Sequence, residues 1–325
     1  MKLHLNTSID QRNSSSGLDY LGMTLLSLAI FAWAVSNVIY KIWSSTSYSP
    51  FIFMFFRYLM ATAFVSIIWI KVKGYHDQIS KKNLGKLFLL GFIGIAIHNL
   101  ALFIGLRTAT ASMSVVIIAT APIFAEFLSI KVFKIAFSWK TIIWSVISLI
   151  GLVITIGYGW KTPSIEGLFI LFVSTIALAI YNVYAAKLML ETTIRPYTVT
   201  FVTIFSATLF FFPFLLLDVY RWPNELYTIL FDLDYWIAII YLSLFGVFIG
   251  RTLYNIGVKR SGANVATIFM NINPLFTAIL EFFILLVVPS IGLLLGGIIV
   301  LIGVLGVINE NKNRKIVLKR DIIDE

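Results

Sequence analysis

The chain is written twice. Lys41 and Pro50 recur as Lys187 and Pro196, 146 positions on, and Pro122 and Gly151 recur as Pro274 and Gly303, 152 positions on. The flanking text agrees: Ala121-Pro122-Ile123-Phe124 against Asn273-Pro274-Leu275-Phe276, and Leu149-Ile150-Gly151 against Leu301-Ile302-Gly303. The offset grows by six in one place, the polar stretch from Arg221 to Asp234. Each copy holds five apolar spans. Five is odd, so if the spans cross a membrane the second copy enters it upside down.

They are expected to cross. Of 325 residues 59% are hydrophobic and only 12% charged, and the mean hydropathy is +0.94. A water-soluble domain of this size needs far more polar surface. A bilayer-crossing helix needs about 20 apolar residues. The text supplies ten such spans: Leu18–Trp43, Phe51–Ile70, Leu84–Leu106, Ala109–Val132 and Trp139–Tyr158, then Gly167–Leu190, Tyr197–Leu217, Tyr235–Val258, Ala263–Val288 and Ile291–Ile308. None alternates as a barrel strand would. The expected fold is an all-α polytopic membrane protein of ten transmembrane helices in two inverted five-helix repeats. The repeats occupy 18–160 and 164–309, between a cytoplasmic tail (1–17) and a basic one (310–325). The first apolar run is too long for a signal peptide and lacks a small-residue cleavage site, so it reads as an uncleaved first helix.

Placing both termini in the cytoplasm puts nearly all short-loop Lys and Arg on the inner side, as the positive-inside rule requires. Only Lys41, Arg107, Lys161 and Arg221 fall outside, and Arg57 and Arg251 lie within helices. The net charge of +10 is then an orientation signal, and no nucleic-acid partner is implied. The outer loop bearing Asp218, Glu225, Asp232 and Asp234 reads as a solvated acidic loop. An Ile-, Lys-, Asn- and Phe-rich text points to an AT-rich bacterial genome, and the expected location is the inner (cytoplasmic) membrane of a bacterium.

There are no cysteines, so disulfides and thiolate metal sites are excluded. His4, His76 and His98 make no ligand spacing. Neither a metal nor a cofactor is expected.

Polar groups inside a membrane are costly and are functional candidates by default. On the ninth span Asn264, Thr267, Asn271, Pro274 and Glu281 share one helix face. Their counterparts on the fourth are Ser112, Val115, Ala119, Pro122 and Ser129, with Glu126 one turn beyond Pro122. Each proline frees the carbonyl four residues earlier, which predicts a pair of kinked, cavity-lining helices. The remaining candidates are Trp33, Asn37, Arg57, His98, Asn99, Asn182, Arg251 and Asn255. Arg57 has snorkelling to the interface as its alternative. His98 reads as a packing histidine more readily than as a proton carrier, and Trp33 is a weak candidate alone. Glu126 and Glu281 are the candidates for proton coupling, with a structural ion pair as the alternative for Glu126. Gly91, Gly94, Gly151, Gly292, Gly296, Gly297, Gly303 and Gly306 permit close helix contact, in packing or on a homodimer face.

This pattern resembles the EamA family of the drug/metabolite transporter superfamily. The residues that carry the resemblance are Trp33 with Lys41, Phe55-Phe56-Arg57-Tyr58 with Ala61, Ala121-Pro122-Ile123-Phe124 and Leu149-Ile150-Gly151-Leu152. The second half echoes them in Lys187, Pro196, Asn273-Pro274-Leu275-Phe276 and Leu301-Ile302-Gly303. The resemblance covers residues 18 to 309. It implies two inverted repeats around a central cavity. It also implies alternating-access transport of a small-molecule substrate such as an amino acid, often as export. Many members carry a Gly-Glu pair after the fourth and ninth helices. Here those stretches read Phe133-Lys134-Ile135-Ala136 and Val287-Val288-Pro289, so a role tied to those glutamates does not transfer.

Inverted repeats are the usual build of secondary transporters, and no nucleotide-binding loop is present for ATP. A membrane enzyme would cluster acids, bases or ligands at one membrane face, and none is seen. A scaffold would carry a sizeable extramembrane domain. The tail from Asn311 is short and lysine-rich, suited to lipid headgroups.

Overall fold

A computed structural model describes residues 20–321, apart from 47, 72–78, 134–137, 159–163, 192–193, 195 and 262. The tail expected over 1–17 therefore lies outside the described residues. The first copy contains α1 (Tyr20–Ser44), α2 (Pro50–Lys71) and α3 (Lys81–Gly91). A π-helical segment (Phe92–Ile97) joins α3 to α4 (His98–Gly105), and α5 (Ala111–Ile118), α6 (Ala121–Phe133) and α7 (Trp139–Gly157) follow. The second copy contains α8 (Ile165–Glu191), α9 (Pro196–Arg221), α10 (Pro223–Leu230) and α11 (Leu233–Tyr241). A second π segment (Leu242–Ile249) joins α11 to α12 (Gly250–Ser261), then α13 (Ala263–Leu285) and α14 (Ile291–Asp321). No strand occurs among the described residues.

Among the described residues, seven apolar helical stretches are long enough to cross a bilayer, and three shorter ones run over Trp139–Thr155, Ile272–Leu285 and Ile291–Gly306. With apolar side chains exposed along most of these helices, the chain is a multi-pass membrane protein.

Local chemistry sets the boundaries. Pro50, Pro196 and Pro223 each open a helix, where a missing N–H costs nothing. Ser80, Thr110 and Asp232 cap α3, α5 and α11, each side chain accepting from a backbone N–H three residues on. At the far end α14 runs well past Ile308, the end expected for the last span. The segment Asn309–Arg320 holds no Gly or Pro to stop it, so the part expected as a tail from 310 begins as helix.

The polar loop where the repeat offset changes is not irregular. It contains α10, whose Ile229 is fully buried. Asp232 accepts from the Tyr48 hydroxyl at 3.1 Å, and Asp218 accepts from the Ser49 hydroxyl. Two of the four loop acids are thus docked on the α1–α2 connection.

The matched prolines behave differently. The first copy breaks between α5 and α6, where the Thr120 hydroxyl donates to the Ile117 carbonyl at 2.6 Å. Such back-bonding competes with the helix ladder. The counterpart of Thr120 is Ile272, which has no hydroxyl, and α13 continues unbroken through Pro274.

Contacts between the copies are reciprocal. Thr62 and its counterpart Thr208 bond hydroxyl to hydroxyl at 2.9 Å. A Cβ on Gly151 would lie 2.6 Å from the Val300 nitrogen, and one on Gly303 would lie 2.5 Å from the Ser148 nitrogen. Ser148 and Val300 are themselves counterparts. Reciprocity of this kind is what a two-fold relation produces at a self-complementary contact. Here it runs through the α2–α9 and α7–α14 crossings. Gly151 and Gly303 are consumed in this crossing within the chain.

The first helix of each copy packs on the other copy's third-helix region. Gly94, in one π segment, lies against Tyr181 of α8; Gly246, in the other, lies against Ser36 of α1. A Cβ on Gly94 would fall 2.1 Å from the Tyr181 Cβ, so only glycine permits this approach. The two π segments occupy repeat-related positions and both border the central cavity.

Candidate functional site

A cavity of about 520 Å³ lies between the two copies, within the range typical of small-molecule sites. Its wall reaches Ser129 and Thr200 at one end. Toward the other end, Tyr40 of the wall packs against Phe53 at 6.1 Å and Phe103 at 5.8 Å, and beyond it Trp43 meets Tyr235 at 5.3 Å.

Eight of the residues singled out in the sequence line it: Trp33, Asn37, Arg57, His98, Asn99, Asn182, Arg251 and Pro274. For Pro122, Glu126, Asn255, Asn264 and Asn271 only the helical position is described. Glu281 is placed elsewhere.

Arg57, 5% exposed, comes from the middle of α2. Its guanidinium lies 4.6 Å from the centre of the Tyr40 ring and 5.2 Å from that of Tyr58. Nη1 donates to the Asn99 carbonyl oxygen at 3.2 Å and to the Tyr58 hydroxyl at 3.3 Å, while Nε is buried without a partner. Desolvating a cation costs several kcal/mol, and each ring returns on the order of 2 kcal/mol. Neutral partners leave Arg57 undercompensated. Its position in the cavity wall answers the snorkelling alternative.

Trp33 donates Nε1–H to the Gly246 carbonyl at 2.8 Å, fixing α1 to the second π segment. Its ring contacts Tyr254 at 5.2 Å and carries the Arg251 guanidinium at 5.9 Å. Asn37 donates to the Thr277 hydroxyl, which donates to the side-chain oxygen of Asn273, each at 3.4 Å. His98 is tied to Ser174: Nδ1 lies 3.0 Å from the Ser174 carbonyl, and the Ser174 hydroxyl lies 2.9 Å from the His98 carbonyl. Nδ1 also lies 2.9 Å from the Ser174 hydroxyl; the carbonyl only accepts, so Nδ1 in its protonated tautomer donates to it, and the ring is tied to α8 through Ser174.

Glu281 is not part of the wall as described. Its carboxyl group accepts from the Ala111 N–H at 2.7 Å, the Ser112 N–H at 2.9 Å and the Ser112 hydroxyl at 2.6 Å. It is 1% exposed. Helix N-termini leave backbone donors without partners and favour negative charge. Glu281 takes two of those donors at the start of α5, beside the Thr110 cap that takes the Met113 N–H.

Several wall residues were not singled out: Tyr40, Tyr58, Tyr181, Tyr254, Thr203 and Asn273. In a membrane helix a tyrosine is indistinguishable from packing by spacing. Asn273 had a visible signal, because its counterpart is Ala121 inside an otherwise matching motif.

The EamA family, described as the EamA-like transporter family, matches residues 20–157 and again 165–309. Relatives agree. An "uncharacterized transporter YdfC" of Bacillus subtilis (strain 168) is 30% identical over 69% of this chain and 71% of its own length. An "uncharacterized transporter" of Archaeoglobus fulgidus is 25% identical over 85% and 88%, and the "uncharacterized transporter YyaM" of B. subtilis is 26% identical over 86% and 91%. A protein crystal structure superposes with a TM-score of 0.57 over 88% of this chain and 95% of that one, at 15% identity, which speaks to the fold alone. Two matched repeats, spanning nearly all the described residues, make this chain a transporter rather than an enzyme, and it belongs to the EamA-like transporter family.

Proposed function

We propose that the protein is a ten-span secondary transporter that moves a small polar or amphipathic metabolite across the cytoplasmic membrane of a bacterium by alternating access, in the direction of export. The observation that carries this reading is the cavity between the repeats. It is built from both copies and bordered by both π segments.

Seven long spans and three shorter apolar stretches supply the ten crossings. With both termini cytoplasmic, the ring cluster of Trp43, Phe53, Phe103 and Tyr235 stands toward the outer side, and the Ser129–Thr200 end of the cavity toward the inner side. That is the loading state of an exporter. The reciprocal contacts through Thr62–Thr208 and α7–α14 supply a two-fold axis about which the repeats exchange roles. Proton coupling falls to Glu126, since Glu281 is engaged at α5.

The test compares metabolites released by cells with and without the protein, followed by flux of the enriched compound in proteoliposomes. Depletion of the compound from the medium of expressing cells would instead support uptake by the same fold. No difference in any metabolite, with no flux, would sink the transport reading.

A further inference from the structure

The described wall of the cavity carries two guanidinium groups and no carboxylate. Both stand at the edge of one contact. Arg57 Nη2 lies 3.8 Å from where a Cβ on Gly246 would stand. Trp33 donates to the carbonyl of that same Gly246, and Arg251 sits over the Trp33 ring. Both cations therefore border the Trp33–Gly246 contact.

Neither is neutralised among the described residues. Arg57 uses Nη1 on two neutral oxygens and leaves Nε unused. Arg251 has the Trp33 ring and, among the described residues, no hydrogen bond. Away from the span ends the chain has two carboxyls, Glu126 and Glu281, and Glu281 is committed to three donors at α5.

The repeat shows the pair to be a departure from symmetry. Arg57 has Thr203 as its counterpart, and Arg251 has Asn99; all four line the cavity. Each copy gives one cation, the first from its second helix and the second from its third-helix region. A guanidinium fork matches the oxygens of a carboxylate or phosphoryl group. Desolvated positive charge in a low-dielectric wall draws anions and repels cations.

Resting on the transport reading, we infer that the substrate is a small organic anion. Its carboxylate or phosphoryl oxygens bind Arg57 and Arg251, and its apolar body lies against Trp33, Tyr40 and Tyr254. An ammonium group would meet two guanidiniums, so amines and zwitterionic amino acids are disfavoured.

The test uses the purified full-length protein at fixed ionic strength. Phenylacetate and phenyl phosphate are compared with phenylacetamide and phenethylamine, by thermal stabilisation and by direct binding of labelled probe. Saturable binding is expected for at least one oxyanion, at least tenfold tighter than for the amide or the amine; which oxyanion binds identifies the head group. Arg251→Gln should weaken that binding at least tenfold. Arg57→Lys, which keeps the charge and guards against misfolding, should weaken it less. Equal binding of the amide or amine, no saturable binding of either oxyanion, or an Arg251→Gln protein with unchanged affinity would overturn the inference. Counterflow of the bound oxyanion in liposomes separates the two claims. Anion binding without flux keeps the anion site and sinks transport; flux of a neutral solute without anion binding does the reverse.

Discussion

Thr62 and Thr208 hold each other hydroxyl to hydroxyl at 2.9 Å, and they are the same position in the two copies of the repeat. A residue can touch its own counterpart only where a two-fold relation passes between them. If the repeats rock about that line, displacement is least there and greatest at the ends. A Thr62→Cys/Thr208→Cys pair on this cysteine-free background is expected to cross-link through a short bifunctional thiol reagent with transport retained. A Ser49→Cys/Asp218→Cys pair, placed where α1–α2 meets the end of α9, is expected to cross-link and abolish turnover. Mobility on a gel after cleavage between the repeats reads the bond, and liposome flux reads the consequence.

Replacing Glu281 is expected to damage stability before transport. Glu281→Ala strands three buried donors, a loss of about 3 kcal/mol, and Ser112→Ala removes one of the three bonds for about 1 kcal/mol. Thermal unfolding of the purified protein should rank them in that order. Glu126→Gln is expected to leave the unfolding temperature near that of the parent and to flatten the response of flux to a pH gradient. An unchanged gradient response would remove Glu126 from proton coupling.

Gly303→Val and Gly151→Val are expected to be destabilising by roughly 1–3 kcal/mol each, because the new side chain meets the backbone of the partner helix. Gly157→Ala is the control. Its Cβ would meet nothing within 4 Å, and the change should be neutral or stabilising by up to about 1 kcal/mol. A denaturation series in a fixed detergent distinguishes them.

Cysteines placed at Ser129 and Asn182, both in the wall, are expected to react with a small water-soluble thiol reagent and to be protected by bound substrate. Leu26→Cys, at a fully buried position, should not react. Labelling of Leu26→Cys at the same rate would mean that the wall has been misplaced.

The architecture was legible because its two signals are long: apolar runs about 20 residues in length, and a text that repeats. The cavity was partly legible for the same reason. Arg57, His98, Asn99 and Arg251 are costly in lipid, so each announces itself wherever it stands. Glu281 announces itself equally, yet its partner is a helix start 170 residues away, and no spacing reveals that. The π segments were hidden because Phe92–Ile97 and Leu242–Ile249 are uniformly apolar, and the extra residue in a turn leaves no mark on composition. The helix α10 was hidden in a stretch whose polarity matched a loop. Pro223 opening it and Ile229 buried within it were its only signs.

Because the first helix of each copy is seated on the opposite copy, the order of synthesis and the order of assembly cannot coincide. The indole N–H of Trp33 waits for a carbonyl 213 residues later, and the amide of Asn37 for a hydroxyl 240 residues later. The Ala111 and Ser112 N–H groups at the start of α5 lack their acceptor until residue 281 has left the ribosome. A half-made chain is therefore a set of inserted but unsatisfied helices, and the last third of the polypeptide completes the first. Chains truncated before α13 should accordingly be captured by quality control despite a full set of inserted helices from the first copy.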